Sequence, residues 1–274
     1  MNWRSIWAIA RKDLKEVRQN KAAWIPALVM PVIFAIVFPL IFSVLPQVMP
    51  AADIERELGD MNVLLKNLPA AAQITFQGLK LEQMFTVYMT AFMLAPLFLI
   101  MPLMFSSVVG ADSFVGERER KTMEALLYSP TTDVELFLGK VLAAVIPAIS
   151  LSWLTYLIYI IVVNAASFNL FGRIWFPLAP WWPMMFWLTP AFAVLGISAT
   201  VMISARVKTF MEAYQLTGSL VIVVLALVVG QATGVLFLGV GTVILLGTLL
   251  WIVDAVLIYF NLRVFKRSSL IANL

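Results

Sequence analysis

Six long apolar stretches, separated by short charged or turn-forming segments, set the terms on which this chain can fold. Each is close to the roughly 20 residues that a helix needs to cross the hydrocarbon core of a bilayer. In that medium an unpaired backbone group is costly, and a helix satisfies its own. At this length the spans fall near 22 to 45, 84 to 111, 139 to 163, 184 to 204, 214 to 230 and 237 to 261. Composition agrees, because 62% hydrophobic and 12% charged residues with a mean hydropathy of +0.95 lie outside the range of soluble domains. The expected fold class is an all-α integral membrane protein.

The basic residues orient these spans. Of 19 lysines and arginines, fifteen fall before the first span, between the second and third, between the fourth and fifth, or after the sixth. Only Arg56, Lys66, Lys80 and Arg173 fall on the other side. The positive-inside rule therefore predicts cytoplasmic termini in a multi-pass protein of the cell membrane. The pI near 9.4 follows from these flanks and does not imply nucleic acid.

Residues 1 to 21 read as an amphipathic helix in the membrane interface rather than a signal peptide, since the apolar run that follows is too long for an h-region. Trp3, Ile6, Trp7, Ala10, Leu14 and Val17 share one arc, away from Arg4, Arg11, Lys12, Lys15 and Arg18. The basic side suits anionic lipid headgroups.

Between the second and third spans lies GERERKTMEALLYSP, Gly116 to Pro130, with six charged residues in the eight positions from Glu117 to Glu124. Such a density is excluded from lipid. Acids at its start, an i,i+4 pair of Glu117 with Lys121, and Ser129-Pro130 as a stop predict a short amphipathic helix in water. This run, with Gly139-Lys140 opening the next span, resembles the cytoplasmic loop of ABC type 2 exporter permeases. The resemblance implies six spans with an N-terminal elbow helix (1–21), spans within 22–261 and a cytoplasmic tail (262–274), together forming one transmembrane domain. It also implies that Glu117, Arg118, Glu119, Arg120, Lys121, Thr122 and Glu124 form a coupling helix that docks on an ATP-binding subunit. The implied partners are two copies of that ATPase, which hold ATP and Mg, a second permease chain, identical or homologous, and membrane lipid.

Candidate pathway residues come from the same resemblance, in which the second and fifth spans line the route: Met89, Phe92 and Met93 on the second, Ser219 on the fifth. Methionine is flexible and polarizable and suits varied apolar surfaces, though it also serves ordinary packing. Gly196, Thr200 and Ser204 on the fourth span form a stripe of small residues that permits close helix packing. Asp254 is the one carboxylate well inside a predicted span, either a functional charge or an acid paired with a basic group near the interface. Within residues 46–83, Ile54, Leu58, Met61, Leu65 and Leu68 recur at helical spacing, which suggests either a simple packed connector or one amphipathic helix over the outer mouth or on the outer interface. Phe168, Phe171, Trp175, Phe176, Trp181 and Trp182 read as an aromatic belt. Residues 230 to 234, GQATG, supply the turn between the fifth and sixth spans, either as a simple turn or between half-helices that re-enter the membrane.

With no histidine and no cysteine, imidazole bases, thiol nucleophiles, disulfides and the usual zinc sites are excluded. No GxxxxGK[ST] loop is present, so ATP hydrolysis falls to a partner, and neither a catalytic residue nor a metal site is expected in this chain. The competing reading is a stand-alone ion-coupled transporter or channel using Asp254, against which stands the lack of an inverted repeat.

Overall fold

The computed structural model describes residues 2–19, 29–50, 56, 70–120 and 131–264. Helix α1, Trp3–Gln19, precedes six helical segments long and apolar enough to cross a membrane: Val29–Val48, Leu81–Glu119, Asp133–Ala166, Trp181–Ser204, Phe210–Ala232 and Val240–Arg263. The first through sixth spans carry these ranges below. All six overlap the stretches expected from sequence, and the second and third extend beyond the apolar core at their charged ends.

The second and fourth spans form the centre of the bundle. Within the chain 78% of the second span's apolar stretch and 67% of the fourth's are buried, against 17% for the fifth and sixth. Their crossing is close because small residues meet there. A Cβ on Gly196 would stand 2.5 Å from the Leu103 carbonyl and 3.0 Å from Ser107 Oγ. One on Gly110 would stand 2.5 Å from Ile197. Ser106 and Ser107 turn their hydroxyls back onto the Leu103 carbonyl at 3.1 and 2.6 Å, which leaves a smooth surface for the fourth span. Thr200 donates to the Gly196 carbonyl at 2.7 Å and meets Thr217 Oγ1 at 3.2 Å, tying the fourth span to the fifth.

The second span departs from α-helical pitch in two places. It runs as α-helix over Leu81–Val87, as π-helix over Tyr88–Met93, as a 3-10 turn over Pro96–Leu99, and as α-helix again over Ile100–Ala111. A second π turn, Asp112–Gly116, precedes the last helical residues Glu117–Glu119. Pro96 supplies one cause, since it lacks an N–H and its ring obstructs the carbonyl four residues back.

The loop between the third and fourth spans folds onto the bundle, which corrects the aromatic-belt reading. Phe176 and Trp181 are buried, while Phe168 and Trp182 remain exposed. Asn164 secures this loop: its Nδ2 donates to the Phe176 carbonyl at 2.8 Å and its Oδ1 accepts from the Trp175 and Phe176 amides. Apart from residue 56, the helix expected around Ile54 to Leu68 lies outside the described residues. A short helix, Ala70–Phe76, follows it. Between the fifth and sixth spans the chain turns at Gly234, which has a positive φ of 74°. The fifth span is itself interrupted after Gly218, ahead of Val221–Ala232.

Candidate functional site

At the charged end of the bundle, α1, the end of the second span and the start of the third meet around buried ions. Helix α1 presents Ile6, Ile9, Ala10 and Asp13 to the protein, while Trp3, Trp7 and Leu14 stay exposed. Gly139 on the third span allows the contact, because a Cβ there would stand 2.8 Å from Ile9 Cβ and 3.1 Å from the Ile6 carbonyl. The third span begins with a capping box, in which Thr132 Oγ1 accepts from the Glu135 amide and Glu135 accepts from the Thr132 amide. Glu135 also accepts from the Asn2 amide at 2.5 Å, fixing the start of α1.

Two turns further on, Lys140 enters this junction fully buried. Its ammonium donates to Glu117 Oε2 and to the Ser113 carbonyl, both at 2.6 Å, and lies 3.4 Å from Asp13 Oδ2. The π turn creates the second of these acceptors. The Glu117 amide reaches back five residues to Asp112, past the Ser113 carbonyl, which then faces Lys140. Lys12 closes the set, with Nζ 2.5 Å from Glu117 Oε1, 3.4 Å from Asp13 and 3.3 Å from Glu16. Burial works against the charge on Lys12, but the hydrogen bond to Glu117 and the charges of Glu117, Asp13 and Glu16 together outweigh it. They raise its pKa above the ordinary 10.5. The resulting stabilisation is complete below that value and declines only as pH rises through the higher folded one.

Asp13, Glu16 and Glu117 bring carboxylate oxygens within 4.8 Å of one another, a spacing compatible with a metal ion. Lys12 already pairs with all three and Lys140 with Asp13 and Glu117, so the arrangement is an ion-pair network.

The residues after Glu117 reach other elements. Arg118 donates to the Ser204 carbonyl at 3.0 Å and to the Val207 carbonyl, at the end of the fourth span. There a cation also complements the carbonyl end of the helix dipole. Glu119 Oε2 accepts from the Phe210 amide at 2.9 Å, at the start of the fifth span. Arg120 returns to Asp112 at 2.8 Å. It passes over Gly116, where a Cβ would stand 2.9 Å from Asp112 Oδ1 and 3.0 Å from Arg120 Nη1. The expected exposed charged face is therefore, through Glu119, a set of internal ties. Lys121, Thr122 and Glu124 lie outside the described residues.

The four pathway candidates differ in exposure within this chain. Phe92 is buried between Phe76 and Phe237, with ring centroids 5.6 and 5.4 Å away. Met89 and Met93 are half-buried against the core, and Ser219 is exposed with its hydroxyl donated to the Leu216 carbonyl at 2.7 Å. Asp254 is fully buried, on the same face of the sixth span as Val243 and Asn261, and Asn261 donates to the Ser198 carbonyl at 2.8 Å. Among the described residues no basic group pairs with Asp254, and neither of its oxygens has a hydrogen-bond partner.

Sequence reading did not place Lys12, Asp13 or Lys140 in a common site, though two signals were present. Asp13 interrupts the inward face of α1 four and three residues after Ile9 and Ala10, and Lys140 follows Gly139 at the mouth of an apolar run. A comparison with protein families matches residues 7–269 to the ABC-2 family transporter protein model. No curated protein matches the chain.

Proposed function

Starting from the chain's membership of the ABC-2 family of transporter proteins, we propose that it is the permease subunit of an ATP-driven exporter. It forms half of a translocation pathway with a second permease chain, identical or homologous. Two separate ATP-binding subunits supply ATP and Mg chemistry. The charged end of the bundle and both termini face the cytoplasm, in keeping with the distribution of basic residues. Helix α1 rests in the interface, with Trp3, Trp7 and Leu14 toward lipid and Arg4, Arg11 and Lys15 toward headgroups.

The observation that carries this reading is the set of ties made by Glu117, Arg118 and Glu119. One helical turn is joined to α1, to the third span, to the end of the fourth and to the start of the fifth. A push delivered to residues 121–130 by closing ATPase subunits passes directly into that turn and on to four elements. Burial of Glu117 shifts its role from docking to transmission. Contact with the ATPase then falls to Arg120, whose side chain is 48% exposed, and to Lys121, Thr122 and Glu124.

Two variants separate these roles. Glu124→Arg is expected to reduce capture of the ATPase by the purified permease at least about 30-fold, the effect of some 2 kcal/mol lost from one desolvated charge pair. Arg118→Ala is expected to leave capture intact while uncoupling ATP hydrolysis from transport, assayed in inverted vesicles with a panel of drugs, peptides, lipids, ions and glycans. If both variants capture the ATPase and transport as the parent does, the coupling assignment is wrong.

Orientation has its own check, made simple by the absence of native cysteine. A cysteine at Asn62 should react with an impermeant reagent on intact cells, and one at Ser268 only after permeabilisation. The reverse pattern would invert the topology.

A further inference from the structure

Three successive carbonyls at the first break in the second span have lost the amides that would serve them four residues on. The Leu94 amide reaches back to Met89, the Ala95 amide turns to Phe92, and Pro96 has no amide to give. Side chains from three different spans donate to these carbonyls, alone at Thr90 and Ala91 and beside the Ala95 amide at Phe92. Tyr159 Oη donates to the Thr90 carbonyl at 2.6 Å, Trp181 Nε1 to that of Ala91 at 2.9 Å, and Gln231 Nε2 to that of Phe92 at 2.8 Å.

These donors are not equally fixed. Tyr159 and Trp181 stack at 5.2 Å, and both pack on Phe98 and Phe176. Gln231 belongs to the helix Val221–Ala232, in which only it and Val224 are buried. Its Oε1 is also buried and has no hydrogen-bond partner among the described residues. A half-satisfied amide on a loosely covered helix is the stitch most readily given up.

We infer that Gln231 is a releasable latch, a positioning residue that holds the end of the fifth span against the break in the second. It rests on the reading of this chain as a permease whose second and fifth spans border the pathway. Release separates the two spans at the end of the bundle away from the ion network. It also uncovers Phe92, whose ring is held by Phe76 and by Phe237 just beyond the latch.

The test uses Phe92→Cys in the otherwise cysteine-free permease, purified in nanodiscs and titrated with a maleimide. Adding Gln231→Leu should speed labelling at position 92 about fivefold to tenfold, as expected for loss of one neutral hydrogen bond from the closed state. A cysteine at Met185, fully buried on the fourth span, should label within about twofold of its own parent rate. No acceleration at position 92, or equal acceleration at both positions, overturns the latch. Gln231→Met, close in length and without the donor, gives the same reading if Gln231→Leu does not accumulate. Neither ATPase nor nucleotide enters this measurement, so its failure is distinct from a failure of coupling.

Discussion

Replacing Glu117 with leucine is expected to destabilise the permease by about 3–5 kcal/mol, because it leaves a buried ammonium without its closest carboxylate. The penalty falls chiefly on Lys140, which is fully buried and 2.6 Å from Glu117. Lys140 is served by Glu117 and, at 3.4 Å, by Asp13, whereas Lys12 is partly exposed and also reaches Glu16. Loss of Glu117 therefore leaves the Lys140 ammonium under-compensated and out of reach of water. Removing that ammonium as well lifts this penalty, so Glu117→Leu combined with Lys140→Met should recover more than half of the loss. Thermal unfolding of the detergent-solubilised chain reads both variants. Limited proteolysis of α1 should also accelerate in the single variant, because the same ions hold that helix to the bundle. A single variant as stable as the parent, or a double variant worse than the single, would mean that the network does not stabilise the fold.

Gly196→Ala should be nearly as damaging, at about 3 kcal/mol, the upper part of the range for overpacking a well-filled interior. A methyl group there meets the Ser106 hydroxyl and the Leu103 carbonyl, the latter 2.5 Å away, and while the hydroxyl can rotate the backbone cannot swing aside. The two central spans must separate instead, and Gly196→Leu is expected not to accumulate in the membrane at all. Gly241 offers the contrast. Nothing lies within 4 Å of a Cβ built there, and Gly241→Ala should be neutral or slightly stabilising because alanine is the better helix former. Comparable losses for Gly196→Ala and Gly241→Ala would show that helix propensity, rather than close approach, governs these positions.

The spans were legible because bilayer thickness imposes a length and hydrophobicity on every crossing helix, and those constraints survive in composition alone. The small-residue stripe was legible for a related reason, since Gly196 and Thr200 can serve a close crossing only if they face another helix. Burial within a membrane protein is harder to read. Lipid and protein interior favour the same side chains, so Trp181 inside the bundle and Trp182 outside it look alike in sequence. Charges mislead in the opposite way. Glu117 reads as exposed because a dense cluster of charges belongs in water, and its partners Lys12 and Lys140 lie 105 and 23 positions away. Asp254 shows the limit of the rule that a membrane carboxylate finds a cation, for none among the described residues reaches it.

The π turn at Asp112–Gly116 makes the second span a helix with two angular settings. One extra residue in a turn rotates everything beyond it by about 100° relative to an uninterrupted helix. Upstream, the span is phased to nest Gly110 against Ile197 and Thr200. Downstream it is phased so that three consecutive side chains, Glu117, Arg118 and Glu119, fan out toward the third, fourth and fifth spans. Either half can therefore change its surface without turning the other away from its neighbours. The same arrangement makes this short segment sensitive to its length more than to its residues. Deleting Phe114 or Val115 would swing all three side chains off their targets together, disconnecting the hub while removing none of the groups that form it.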